Sequence, residues 1–420
     1  MFDFILNNIE LGKVKYSGLK RIFKTPYYLK LGKEQYSIDV SPLLFILIHH
    51  SHLKYFLSIV DILEEYEINY SIISLRDDFE DQLSPYSNRL IYFSNYYKKI
   101  DVHISSFFQF ITYTKYIIFR NKNKAFASLK LYKDYYLMQI ALNNIFNQNK
   151  IKMILMYKGD GFHAQNIGHF LINKKLPVKF IVMQHGLIAS IPQFKDLPIN
   201  EFWVFSKFFQ EMLSRLNVKY SLKVVGDPST DKFFNMKKNL SKKIKKDFKV
   251  LFVPNHGNSH TPKSQVINTL SWVVRYAIEN VKSSITIKPH PGDVNNIILS
   301  NINNYSQINN LKLLSKDDKL LIHNYDIIIV NNSAVGMEAA LNNKPVIVLA
   351  ENKEQVLVKQ YLDYGFAQVA YNYNDFVNKI NYSITNYSFF QEKTKIFIND
   401  MYENQGESKH VILKELLKYN

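Results

Sequence analysis

The stretch Lys288-Pro289-His290-Pro291-Gly292 places one histidine between two prolines, directly after the apolar run Ser284–Lys288. Proline fixes its own φ and restricts the residue before it, so His290 is held in a set direction. A cation or N–H donor held that way, with Lys288 two residues earlier, suits a phosphate oxygen. The plainer reading is a rigid turn. A second run, Asp326–Val330, leads into Asn331-Asn332-Ser333-Ala334-Val335-Gly336-Met337-Glu338. Ser333 suits an N-cap. The N–H groups of a helix beginning there, around Asn332, Ser333, Ala334 and Val335, favour an anion. Glu338 lies about one turn in, where it can accept ribose hydroxyls, and Gly336 permits close approach of a ligand or a neighbouring backbone. The alternative is a capped helix with a solvated glutamate.

Two further turns carry groups able to move a proton. Gly159-Asp160-Gly161 follows Ile151–Tyr157, and Gln184-His185-Gly186 follows Val178–Met183. Asp160 or His185 can act as a general base toward an acceptor hydroxyl within hydrogen-bond reach. Both segments also suit ordinary turns. His52, which closes His49-His50-Ser51-His52, joins Gln184 and the pair Asn255-His256 as residues expected to line a cleft. There are 12 histidines but no H-E-x-x-H pattern, and no Asp, Glu or Cys completes a ligand set beside His49–His52. No metal site is expected.

Each of these polar segments follows a predicted strand, which is the ligand edge of a parallel sheet. The first series reads Leu43–Ile48 (strand), Leu53–Glu65 (helix) and Tyr70–Leu75 (strand). The helix rests on Leu53, Phe56, Leu57, Val60 and Leu63 at helical spacing. Asp101–Asn121 and Ala125–Asn149 read as long helices. Strands over Ile151–Tyr157, Val178–Met183, Phe202–Phe205 and Leu222–Val225 then alternate with helices over His163–Lys174 and Phe208–Leu216. Seven lysines (237, 238, 242, 243, 245, 246 and 249) crowd the next stretch and mark a basic linker at 236–248. A second series follows: Val250–Val253, Ser284–Lys288, Asp326–Val330 and Pro345–Leu349 as strands, with Ser264–Val281, Asp317–Asn324 and Ala334–Leu341 as helices. Asn374–Asp400 is mostly helical and is expected to pack back across the first domain. The alternation predicts an α/β fold of two Rossmann-like domains facing a central cleft. An acceptor domain would span 1–235 and a nucleotide-donor domain 249–420.

Composition narrows the function classes. Lys and Arg number 53 against 36 Asp and Glu, a net charge of +17, which favours anionic partners. The absence of cysteine excludes disulfides, thiolate metal sites and cysteine nucleophiles. No apolar run approaches the roughly 20 residues of a membrane helix, and no signal-peptide pattern opens the chain. No G-x-x-x-x-G-K-[ST] loop is present, and no G-x-G-x-x-G follows the first strand, which argues against a P-loop ATPase and a dinucleotide oxidoreductase. The lysine cluster has no nucleic-acid-binding signature beside it and fits an anionic membrane surface.

The order Gln184-His185-Gly186, Gly226-Asp227-Pro228, Lys288–Pro291, then Ser333 with Glu338-Ala339 resembles bacterial surface-polysaccharide glycosyltransferases of the two-Rossmann, GT-B type. It is similar to capsule polysaccharide transferases, CDP-glycerol glycerophosphotransferases and bacterial sialyl- and polysialyltransferases. The resemblance covers about Ile151–Ala350. It implies Asp160 as the base and His290 as the nucleotide-phosphate ligand, although position 159 is Gly where the sialyltransferase motif has a second acidic residue. The expected activity is metal-independent transfer of a sugar from a nucleotide-sugar donor to a glycan or lipid-linked acceptor, in capsule or lipopolysaccharide synthesis. The nucleotide sugar is a substrate and no cofactor is expected. The expected location is cytoplasmic, at the inner face of the membrane. The alternatives are a CDP-polyol phosphotransferase, a sugar-nucleotide epimerase and a non-enzymatic nucleotide- or lipid-binding protein.

Overall fold

The computed structural model describes residues 40–419 except 49, 75–78, 92–95, 97–135, 148, 159–160, 187, 189–191, 236–246, 256–260, 291–292, 294–296, 303–306, 316–317 and 319. Asp160, His256, Pro291, Gly292, most of the lysine cluster and the helix expected over Asp101–Asn121 lie outside the described residues. Of Ala125–Asn149, residues 136–147 are helical.

The chain divides into two units, Met1–Asp231 with Glu403–Asn420, and Lys232–Tyr402. Among the described residues, the first holds seven parallel strands: β1 (Leu43–Leu47), β2 (Tyr70–Ser74), β3 (Leu90–Ile91), β4 (Met153–Tyr157), β5 (Lys179–Met183), β6 (Glu201–Val204) and β7 (Ser221–Val224). Their order across the sheet is β3-β2-β1-β4-β5-β6-β7. The second holds β8 (Lys249–Val253), β9 (Ser284–Ile287), β10 (Leu311–Leu313), β11 (Ile327–Val330), β12 (Val346–Leu349) and β13 (Ala367–Ala370). Their order is β10-β9-β8-β11-β12-β13, again all parallel. Each sheet has the doubly wound order in which the chain steps outward from one central strand, then returns to its other side. Two Rossmann-like sheets are therefore the architecture.

The central strands are apolar throughout because both faces are covered. Leu43–Leu47, Met153–Tyr157 and Ile327–Val330 are buried at every position. The helix Lys263–Glu279 turns Val266, Leu270, Val273, Val274 and Ala277 toward the second core, the period of an amphipathic helix.

Two expectations change. Among the described residues of the helix expected over Asp317–Asn324, only the single turn Ile322–Asn324 is helical. There Leu320, Leu321 and Ile322 are contiguous rather than spaced by turns, and Asp318 bends the chain by accepting from the Ser315 N–H at 2.7 Å. The expected domain 249–420 also ends sooner, at Tyr402. The helices Tyr373–Thr385 and Tyr387–Met401 stay with the second unit, where Phe376 and Ile380 fill its core and Phe397 lies 4.5 Å from Phe366. The segment that belongs to the first unit is Glu403–Asn420. Asp231 caps its helix Ser408–Leu416 by accepting from the N–H groups of Ser408 (3.1 Å) and Lys409 (2.9 Å). Gly226, at φ +83°, lies against this segment so closely that a Cβ would collide with the Ser408 hydroxyl and the Glu403 carbonyl. Tyr419 donates to Glu201 at 3.0 Å, and Lys179 meets the same carboxylate at 2.8 Å. Burial pushes the Glu201 carboxyl up, but Lys179, the Trp203 indole, Lys223 and Tyr419 outweigh it and hold the group below its ordinary value.

Candidate functional site

In the first unit the ligand edge is built on the ends of β1, β4, β5 and β7. The helix His50–Glu65 starts just after β1 and buries His52 completely. One turn later Tyr55 stacks on Tyr157, the last residue of β4, with ring centroids 4.9 Å apart. His185, in the turn after β5, is half-buried and meets both residues of that helix edge-on. Its ring lies 5.6 Å from His52 and 6.1 Å from Tyr55. The turn is held by Gln184, which is fully buried and bonded at both ends of its amide. Nε2 donates to the Gly186 carbonyl at 2.9 Å, and Oε1 accepts from the Phe205 N–H at 3.0 Å. Gly186 supplies a φ of +62°. So His52, Gln184 and His185 come together, with the last presented and the other two supporting it. Tyr55 and Phe205 were not anticipated. Tyr55 lies three residues after His52, a spacing that shares a helix face.

Beneath this face lies a buried carboxylate that sequence reasoning used only as part of a segment. Asp227 follows β7 and accepts from the Ser229 N–H (2.9 Å) and hydroxyl (2.7 Å). Burial pushes its pKa from 3.8 to about 6, and Asp231 adds to this, while the Ser229 bonds and Lys54 oppose it. Burial, and secondarily the neighbouring Asp227, push the Tyr157 phenol well above its ordinary value. With the folded pKa above the unfolded one, the native state binds the extra proton. Stability from this group is therefore full below about pH 4 and lost as pH rises through 6. Asp227→Asn keeps an acceptor for Ser229 but cannot ionise. It is expected to gain up to about 3 kcal/mol over the natural chain at pH 7 and little at pH 4. Urea unfolding of both proteins across that range checks the difference, and a gap that does not widen with pH contradicts the buried charge.

In the second unit the ligand edge runs over the ends of β8, β9, β11 and β12. Lys288 is buried and His290 half-buried. The rigid turn has a local cause besides its prolines. The Asp293 N–H donates to the His290 carbonyl at 2.9 Å, and the Asp293 carboxylate caps Ile297 and Ile298 at 2.9 and 3.1 Å. After β8, Asn255 donates to Thr261 at 3.3 Å.

The turn after β11 differs from expectation. The helix Val335–Leu341 is only seven residues long, and Ala334 takes the cap position. The Ser333 hydroxyl accepts from the Val335 N–H at 3.2 Å, and its carbonyl accepts from the Gly336 N–H at 3.2 Å. The Met337 N–H donates to the Ala334 carbonyl at 3.0 Å. These donors face their own turn. Asn332, at φ +39°, spends its side chain on the next loop, donating to the Gln355 carbonyl at 2.5 Å and accepting from the Leu357 N–H at 2.9 Å. Gly336 is required by a side chain: a Cβ there would collide with the ring of the fully buried Tyr361. Glu338 is half-buried one turn into the helix.

The sequence matches the family model of CDP-glycerol:poly(glycerophosphate) glycerophosphotransferase over residues 195–418. No curated protein matches it. Among solved structures, the chain is similar to the UDP-GlcNAc 2-epimerase of Neisseria meningitidis bound to UDP-GlcNAc (14% identity, TM-score 0.59, covering 90% of this chain and 99% of that one). It is also similar to an S. aureus protein, MnaA, solved with UDP (15% identity, TM-score 0.58, 90% and 97% covered). A glycosyltransferase from Rickettsia africae ESF-5 matches at 14% identity and a TM-score of 0.53, with 91% and 100% covered. At these identities the likeness is one of fold.

Proposed function

Because this chain belongs to the CDP-glycerol:poly(glycerophosphate) glycerophosphotransferase family, we propose that it transfers a polyol phosphate from a cytidine-diphosphate-linked donor to a hydroxyl of a glycan or lipid-linked acceptor. The family match is the observation that carries the reading. It takes in the Lys288–His290 turn, the Asn331–Glu338 turn and the buried Asp227. In the reaction the acceptor oxygen attacks the phosphorus of the polyol phosphate. A new P–O bond forms, the bond to the bridging oxygen breaks, and CMP leaves. His185 takes the hydroxyl proton, with Asp160 as the other candidate base. Lys288 and His290 offset the charge that grows on the leaving phosphate. The activated donor is a substrate, and this reading requires no metal or other cofactor.

Glycosyl transfer is the second reading, favoured by the position of His52, Gln184 and His185 outside the matched residues. There the acceptor oxygen attacks the anomeric carbon and the whole nucleotide phosphate leaves. Incubation with CDP-glycerol and, separately, UDP-GlcNAc, each with a lipid-linked glycan acceptor, separates the two. A phosphodiester product with CMP release supports the first reading, and a glycosidic product without added phosphorus supports the second. Consumption of neither donor overturns both.

The product would enter a surface polymer such as capsule or lipopolysaccharide, and the protein would work at the inner face of the membrane. No helix among the described residues is long and apolar enough to cross a membrane. The charge of +17 supports attraction to anionic lipid. Each lysine near such a surface contributes about 1 kcal/mol, screened by salt. Co-sedimentation with phosphatidylserine vesicles is therefore expected at low salt and to fall as salt rises. Binding that ignores salt contradicts it.

A further inference from the structure

The turn after β11 hangs from a buried polar column in the second unit. Gln265, Thr269 and Asn331 are all fully buried. Asn331 Nδ2 donates to the Leu349 carbonyl at 2.9 Å and to the Thr269 hydroxyl at 3.2 Å. That hydroxyl donates in turn to the main-chain carbonyl of Gln265 at 2.9 Å, so the Gln265 backbone, one turn earlier on the same helix, is joined to Asn331. Among the described residues, Asn331 Oδ1 and both amide atoms of the Gln265 side chain have no hydrogen-bond partner.

The state of Gln265 has a sequence cause. It is the third residue of the helix Lys263–Glu279, from where a glutamine ordinarily reaches back to the N–H of the cap residue. Here the cap is Pro262, which has no N–H. Gln265 and Thr269 are four residues apart and share a helix face, and Thr269 touches Asn331. Leucine would fill such a position without leaving amide atoms unpaired. Buried amides are nearly always satisfied by protein or by ordered water, and a polar internal site with several partners holds water well.

We propose that Gln265 and Asn331 are positioning residues for donor binding. Internal water completes their amide groups, and the network fixes Asn331 between Lys263–Glu279 and β12. The next residue, Asn332, clamps the turn on its other side through Gln355 and Leu357. Ser333 is thereby held at the ligand edge. The proposal rests on the reading that a nucleotide-activated donor binds this edge.

The test is Gln265→Leu, read by amide hydrogen exchange and by titration with CMP. Faster exchange over residues 331–336, with β8 and β11 still protected, supports the anchor. So does a loss of CMP affinity of about tenfold, equivalent to about 1.4 kcal/mol. The KM for the donor should rise with kcat nearly unchanged. Gln265→Glu, which keeps a donor and an acceptor when neutral, should restore both exchange and affinity. It also keeps the test alive if the leucine variant fails to fold. A Gln265→Leu protein with exchange and CMP affinity like the natural chain overturns the proposal. A natural chain that binds neither CMP nor UDP overturns the donor reading instead, and hydrogen exchange at the turn still decides the anchor.

Discussion

His185→Ala is expected to slow transfer by about 10²–10⁴-fold, the usual worth of a general base, while nucleotide affinity stays within a factor of about two. The argument starts from presentation. His185 is half-buried, whereas His52 behind it is fully buried. Gln184 holds the turn with both ends of its amide, so the imidazole's backbone does not wander. Edge contacts with His52 and Tyr55 limit the ring itself. Removing the side chain leaves those supports in place, because Gln184 and Gly186 form the turn without it. Turnover and CMP titration on the same protein give the answer. Asp160→Asn is the companion variant: if it abolishes transfer and His185→Ala does not, the base is Asp160.

His290→Ala is expected to cost about 2–4 kcal/mol of transition-state stabilisation, or about 10²–10³-fold in rate. The turn that carries it is closed by the Asp293 N–H and capped onward by the Asp293 carboxylate. Neither contact uses the imidazole, so the unfolding midpoint should move little. The Val335, Gly336 and Met337 N–H groups at the start of the helix Val335–Leu341 are turned onto Ser333 and Ala334, which leaves Lys288 and His290 with a larger share of the phosphate charge. A variant that folds normally and turns over at the natural rate removes His290 from the reaction. A variant with lost affinity for CMP and a normal maximal rate assigns it to ground-state binding only.

The sequence by itself determined most of the local elements. Runs such as Ile327–Val330 and Met153–Tyr157, short and bounded by polar turns, read as strands buried on both faces, and the spacing of Val266, Leu270 and Val273 reads as a helix with one apolar side. Their alternation already implied two parallel sheets, and so the ends of the strands as the place for His185, Lys288 and His290. The short edge strands Leu90–Ile91 and Leu311–Leu313 were not legible, because two or three residues carry no period and become strands only through their neighbours. Ownership of the last segment was not legible either. It depends on Asp231 meeting the N–H groups of Ser408 and Lys409 across the fold. The tertiary structure alone decided which polar side chains are already spent. Asn332 looks like a ligand group in a linear reading, yet both ends of its amide close a turn. Asp227 looks like a turn residue, yet burial raises its pKa to about 6. Periodicity reports which face of an element is apolar. Desolvation and hydrogen-bond partnership depend on what another part of the chain brings up against it.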